Sequence, residues 1–237
     1  MKFIFAPEWF LGKDVLIESF SFIVLFAFFF LCWRYYKLNK KKTFLHLGIG
    51  FLLIAIAQLA IIATKFVLYY NTHFTQNIGQ MIITYDIVKS INIFYYAGYF
   101  FHRLLTLFGF FVIYRSTKKA PGDFLLLFYF IIVSVIFSNT IYYIFNITVL
   151  ILLIMILEHY YQVYKENKSR NTLILILAFG LLAVGNLIFI LSDLPTMFVL
   201  ANLIELVSYI ILLVLIIRIL YVKRNLKKIG KNGPKKK

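Results

Sequence analysis

The chain alternates long apolar runs with short polar interruptions, most of which are basic. About 20 apolar residues suffice for a helix to cross the hydrocarbon core of a bilayer. Seven runs fit this description. In chain order they cover about 15–34, 44–70, 91–115, 122–138, 141–164, 171–192 and 196–222. The pattern predicts an all-α bundle of seven transmembrane helices, residues 1–222, and then a basic tail, residues 223–237.

The fourth and fifth spans are separated by the weakest boundary. No charged residue lies between Asp123 and Glu158, so this run is too long for one ordinary span and short for two. The triplet "SNT", residues 138–140, is the turn-like break inside it. We therefore predict a tight hairpin there.

The basic residues predict the orientation of the bundle. Most of the 25 lysines and arginines follow spans one, three, five and seven, which places them on one side of the membrane. Cytoplasmic loops carry such an excess, so the N-terminus is predicted outside and the C-terminus inside. The same rule accounts for the net charge of +16 without nucleic acid. The predicted surroundings are the lipid bilayer of the cell membrane, crossed several times.

Two segments lie outside the predicted spans. The connection 71–90 is moderately polar and predicts an interfacial helix or a cap over the helix ends. The tail "KRNLKKIGKNGPKKK" either attracts anionic lipid or anchors the topology with a disordered end.

Polar residues at similar places in different spans suggest an internal repeat of three plus one plus three helices. Span two carries Gln58 in "FLLIAIAQLAII", and span six carries Asn186 in "FGLLAVGNLIFI". Spans one and five both end in a tyrosine pair followed by basic residues. Such repeats recur in transporters. The alternative is that membrane helices resemble one another.

Two opposite charges lie inside predicted spans. Arg103 lies within span three and Glu205 within span seven, at similar depths from the outer side. Since an unpaired charge in the bilayer is costly, we predict that these two residues form an ion pair. The pair is either a structural staple or part of a binding site.

Further polar residues fall in the outer halves of the spans, and together they predict a polar cavity for a small polar or anionic ligand. His102 is as well explained by a structural hydrogen bond, and Lys65 by extension of its ammonium towards water. The candidate ligand-binding residues are Arg103, Glu205, His102, Asn186, Asn202, Lys65, Gln58 and Glu18.

The motifs that mark several enzyme classes are missing from the sequence. It contains no HExxH, GxSxG or P-loop pattern, and no cysteine and histidine cluster with metal-ligand spacing. We therefore predict no catalytic residues, no metal and no cofactor. Cys32, the single cysteine, cannot form an intrachain disulfide.

Three segments carry a resemblance. They are "APEWFLGKD", "HRLLTLFGF" and "LIELVSYIILLVLIIRIL", and they resemble small uncharacterised archaeal multi-pass membrane proteins. The layout of seven spans with short loops also resembles the membrane sensor modules of prokaryotic histidine kinases. No kinase or other output domain follows Lys237, so the resemblance implies a separate cytoplasmic or membrane signalling partner.

The sequence thus supports three interpretations. The first is a protein of sensor or receptor type with a polar outer cavity around Arg103 and Glu205. The second is a small-solute transporter, which needs a polar path continuing inward. The inner halves of spans three and seven, "LFGFFVIY" and "ILLVLIIRIL", are nearly free of polar side chains and favour a blind cavity. The third is a structural or assembly subunit without a ligand.

Overall fold

A computed structural model describes the backbone of residues 8–10, 12–78, 81–117, 123–137, 143–191 and 195–231, and the side chains of 9–10, 12–66, 96–116, 128–137, 143–190 and 195–221. These ranges are helical and contain no strand. A short 3-10 helix, Glu8–Phe10, precedes seven α-helices. They are α1 Lys13–Asn39, α2 Lys42–Ile78, α3 Met81–Thr117, α4 Asp123–Phe137, α5 Tyr143–Asn167, α6 Arg170–Leu191 and α7 Pro195–Lys231.

Six of the seven helices are long and apolar enough to cross a membrane. The chain is therefore a multi-pass integral membrane protein. The exception is α4, whose 15 residues extend for only about 22 Å at 1.5 Å per residue. The fourth predicted span, 122–138, is thus a short apolar helix. The predicted division into two helices here is confirmed, although the "SNT" turn lies outside the described residues.

The second and third helices are longer than their predicted spans. Each has 37 residues, which corresponds to about 55 Å and exceeds a hydrocarbon core of roughly 30 Å. The predicted connection 71–90 mostly belongs to the end of α2 and the start of α3, and these helices are joined through residues 79–80. A separate interfacial helix is therefore not formed there.

The bundle is a closed ring of six helices. Around it, α1 packs on α2, α2 on α3, α3 on α5, α5 on α6, α6 on α7, and α7 returns to α1. The short α4 lies against α3 and α5. We call the end of the bundle where α1 begins and α2 finishes the upper end, and the opposite end, where α1 finishes, the lower end.

Two lysines end helices at the lower end in the same way. Lys40 follows α1 with φ 53°, and its N–H donates to the carbonyl of Tyr36 at 2.8 Å. Lys168 follows α5 with φ 44°, and its N–H donates to the carbonyl of Tyr164 at 2.7 Å. A left-handed residue that returns a hydrogen bond to the last turn is a common helix terminator. It allows α2 and α6 to begin at once.

Two glycines allow α2 and α3 to approach closely. A Cβ added to Gly50 would lie 2.5 Å from Cγ1 of Ile113 and 2.8 Å from the carbonyl oxygen of Gly109. A Cβ added to Gly109 would lie 2.8 Å from the carbonyl oxygen of Gly50. Small residues drive membrane helix packing because they bring backbones into contact. Hence α2 and α3 are held together along their lower halves.

Candidate functional site

A buried charged cluster joins α1 and α2 near the upper end. The Nζ atom of Lys65 lies 2.6 Å from Oδ2 of Asp14 and also contacts Oε1 of Glu18. The side chain of Asp14 is 1% exposed and that of Lys65 is 9% exposed. The ammonium of Lys65 is therefore held between two carboxyl groups, and the interpretation that it extends towards water is wrong.

The start of α1 fixes the position of Asp14. Gly12, in the left-handed conformation with φ 84°, precedes the helix, and Oδ1 of Asp14 accepts hydrogen bonds from the N–H groups of Gly12 and Val15. The other oxygen is thereby directed to Lys65. Glu18 follows four residues later, so it lies on the same face of the helix. One turn of α1 thus supplies both carboxyl groups.

A third carboxyl group lies close to this cluster. Glu205 of α7 is half-buried and interacts electrostatically with Glu18 and Lys65. Its Cγ packs over Gly185 of α6, where an added Cβ would come within 3.2 Å. Among the described side chains, the cluster therefore contains three carboxyl groups and one ammonium, so that acid exceeds base.

Four buried polar side chains extend the cluster across the interior. Asn186 and Asn202 each donate to a carbonyl one turn earlier in their own helix, at 2.9 and 2.8 Å, and keep an amide oxygen for another partner. The hydroxyl of Tyr209 lies near the side chain of Gln58. We call the whole set the polar layer: Asp14, Glu18, Gln58, Lys65, Asn186, Asn202, Glu205 and Tyr209.

The structure places Arg103 outside the polar layer, whereas His102 lies at its margin and interacts electrostatically with Lys65. The guanidinium of Arg103 lies 5.8 Å from the ring centre of Tyr99 and 6.0 Å from that of Phe145, on α5. The Nδ1 atom of His102 lies 3.1 Å from the carbonyl oxygen of Ala57, to which it donates. Both residues therefore belong to the neighbourhood of α2, α3 and α5.

The predicted Arg103–Glu205 ion pair is wrong. Between the described side chains, the ion pairs are those of Lys65 with Asp14 and with Glu18. Arg103 lies beside α5, whereas Glu205 lies beside α6 and the charged cluster. The physical reason is the order of helices in the ring, because α3 and α7 are not neighbours in it. Similar depth in the membrane does not make two residues adjacent.

The residue that sequence reasoning missed is Asp14. The predicted first span began at 15, so Asp14 was assigned to the water-exposed start of the chain. The signal was present, because Asp14 and Glu18 are four residues apart at the beginning of an apolar helix. Two carboxyl groups on one face predict a shared cation.

An aromatic layer lies below the polar layer. Phe51 of α2 stacks on Phe179 of α6 with a centroid distance of 6.4 Å and an angle of 10° between the rings. The ring centroids of Phe28 and Phe51 are 4.7 Å apart, and Tyr160 stacks on Phe179 with a centroid distance of 5.9 Å. These four residues, Phe28, Phe51, Tyr160 and Phe179, form what we call the aromatic layer. It crosses the interior from α1 to α5.

Comparison of the chain with protein-family models, curated proteins and solved structures finds no match in any of the three. The fold and the site define the class of the protein, a polytopic membrane protein with charged groups in its helical interior.

Proposed function

We propose that the chain is a small-solute transporter of the form three plus one plus three helices, which binds its solute at the polar layer. The observation that carries the proposal is a constant register between the first two helices of the two halves of the bundle, α1–α3 and α5–α7. Parallel repeats around a central polar site are typical of secondary transporters, in which the halves move against each other.

The order of helix packing in the ring supports such a repeat. Each half contains two large helix interfaces, α1 with α2 and α2 with α3 in one half, α5 with α6 and α6 with α7 in the other. Two smaller junctions, α3 with α5 and α7 with α1, close the ring. The short α4 lies at one junction and connects the halves.

A single offset relates the first two helices of each half. The two left-handed lysines are separated by 168 − 40 = 128 positions, and both donate to a tyrosine carbonyl. Adding 128 to the number of a buried residue of α1 or α2 gives a buried residue of α5 or α6 at the following eight positions. The pairs are Ser21 with Val149, Val24 with Leu152, Leu25 with Leu153, Phe28 with Ile156, Phe51 with Phe179, Ile54 with Leu182, Ala55 with Ala183, and Gln58 with Asn186.

A second offset relates the third helix of each half. Gly109 packs against Gly50, and Ser208 donates to the carbonyl of Ala178 at 2.7 Å. Since Ala178 is the counterpart of Gly50, these contacts correspond, and 208 − 109 gives 99 positions. The difference of 128 − 99 = 29 residues falls in the longer upper ends of α2 and α3. The offsets therefore differ only by an extended helical hairpin.

The charges of the polar layer indicate the class of solute. Asp14, Glu18 and Glu205 contribute three carboxyl groups, and Lys65 contributes one ammonium. In addition, Oε2 of Glu18 is buried without a hydrogen-bond partner among the described residues. A small organic cation would offset the excess of acid among the described residues and donate to Oε2 of Glu18. This replaces the anionic ligand expected from Arg103 and Lys65.

The orientation follows from the basic residues. Among the described residues, Lys40, Arg115 and Lys168 at the ends of α1, α3 and α5 lie at the lower end, together with the basic C-terminal part of α7. By the positive-inside rule the lower end faces the cytoplasm, and solute from outside reaches the polar layer through the upper end. The basic tail then lies where anionic lipid headgroups are available.

The test is counterflow in liposomes that contain the purified protein. Labelled choline and methylamine are the probes, with glucose and succinate as neutral and anionic comparisons. We expect accumulation of a cation above that of protein-free liposomes, and loss of this accumulation in Glu205→Gln. Glu158→Gln is the matched control, because Glu158 is an exposed carboxyl at the lower part of α5. Absence of cation counterflow, or an equal loss in both variants, contradicts the proposal.

The second candidate is a sensor or receptor, in line with the resemblance to histidine-kinase sensor modules. The aromatic layer favours it, because apolar side chains close the interior below the polar layer. A sensor bound to the same cations would show a rise in melting temperature without counterflow. Such a result would select this candidate and would call for a search for the signalling partner.

A further inference from the structure

We infer that the stacked pair Phe51–Phe179 is the closure between the polar layer and the lower end, and that the two halves separate there during the conformational cycle. This inference rests on the proposed transport function, whose mechanism it specifies. The first support is position. The pair belongs to the middle helices of the two halves, and the members are counterparts at the offset of 128 positions between 51 and 179.

Contact between counterparts has a geometric meaning. When two equivalent residues of a duplicated structure touch each other, they must lie on the axis that relates the copies. The rings are nearly parallel, 10° apart, which is compatible with a two-fold axis along the bundle. Phe51 is 1% exposed and Phe179 is fully buried. The pair therefore fills the centre of the ring.

The pair Phe51–Phe179 also lies between the polar layer and the apolar core of the bundle. Gln58 and Asn186 each follow their phenylalanine by seven residues, so they lie on the same face about 10 Å nearer to the upper end. The phenylalanines themselves belong to a large apolar core that contains Phe28, Leu175 and Leu212. A solute that leaves the polar layer towards the lower end has to pass these two rings.

The packing of the helices determines where movement is easiest. Within a half, backbone meets backbone, since a Cβ on Gly50 would collide with the carbonyl of Gly109. Across the axis, the contact between α2 and α6 is made by side chains, Phe51 with Phe179. Side chains can rotate or part without breaking helix packing, so separation occurs between the halves and not inside them.

The experiment measures from which end a reporter cysteine is reached. Gln58→Cys is introduced after Cys32→Ser, and a membrane-impermeant maleimide is applied to right-side-out and inverted membrane vesicles. Lys41→Cys, exposed at the lower end, reports which vesicles present that end. We expect labelling of Gln58→Cys from the upper end only. Phe51→Ala or Phe179→Ala should raise the labelling of Gln58→Cys from the lower end by about tenfold. The energy of an aromatic contact corresponds to a change in the open population on the order of this factor.

Phe101→Ala is the matched control, because Phe101 is 53% exposed on the outside of the bundle. It should leave the labelling pattern unchanged. If an alanine variant fails to fold, Phe51→Leu and Phe179→Leu keep the apolar volume and should give a smaller rise of the same sign. Unchanged lower-end labelling in the folded Phe51 and Phe179 variants, or an equal rise in Phe101→Ala, overturns the inference.

The outcome is separable from that of the transport test. Counterflow together with unchanged labelling overturns the closure and leaves transport standing. Raised labelling without counterflow supports the closure as the floor of the polar layer and removes the transport function.

Discussion

Replacing Lys65 with methionine is expected to lower the free energy of unfolding by about 3–5 kcal/mol. The substitution keeps an apolar side chain of similar length but removes the ammonium between Asp14 and Glu18. Two buried carboxyl groups then face each other without a cation, and removing one partner of a buried pair costs far more than the pair contributes. Unfolding in detergent, followed by circular dichroism, measures the loss.

The matched control is Lys13→Met, at the exposed start of α1, where the ammonium lies over the ring of Trp9 at 5.2 Å. It should change stability by less than about 1 kcal/mol. The triple variant Lys65→Met, Asp14→Asn, Glu18→Gln should recover most of the loss, because the two carboxyl groups in contact with the ammonium are made neutral together with it. A triple variant as unstable as the single one would contradict the charge-based explanation.

Gly50→Ala and Gly109→Ala are the second pair of changes with a large expected effect. An added Cβ at either position lies 2.8 Å from a backbone oxygen of the partner helix, and backbone cannot move aside without separating α2 from α3. Overpacking typically costs 1–3 kcal/mol, and a clash with backbone should reach about the upper end of that range.

Gly180→Ala is the control for these variants. Gly180 is also helical, but an added Cβ there meets nothing within 4 Å. Because alanine favours the helix over glycine, this change should stabilise the protein by up to about 1 kcal/mol. Thermal unfolding of Gly50→Ala, Gly109→Ala and Gly180→Ala under the same conditions compares their stabilities. A Gly109→Ala protein as stable as Gly180→Ala would show that the helices are not in contact as described.

The helices were predictable because their signal is local. A run of apolar residues identifies a membrane helix without reference to its neighbours, and even the division of 123–157 into two helices followed from a turn signal and the alternation of basic loops. The buried positions of Gln58 and Asn186 were likewise suggested by single polar residues in apolar runs. The bounds of α2 and α3 were missed, because helix continues past the membrane in sequence that is only moderately polar.

The ion pairs were not predictable in the same way. Pairing Arg103 with Glu205 used depth alone, and depth does not say which helices are adjacent. The order of helices in the ring is a property of the whole packing, set by contacts such as Gly50 with Gly109. Asp14 was missed because the first span was predicted to begin at residue 15, two residues after the start of α1 at Lys13.

The duplication of the three-helix unit is the central claim. Pulsed electron–electron double resonance, which measures the distance between two spin labels, tests it most directly. Nitroxide labels are attached to cysteines at Ile23 and Phe101 in one protein and at their counterparts, Ile151 and Leu200, in another, with Cys32→Ser in both. All four side chains are exposed on the outside of the ring, so labelling disturbs no core contact. The account predicts overlapping distance distributions for the two pairs. Clearly separated distributions would contradict the duplication, and with it the proposed motion of two equivalent halves.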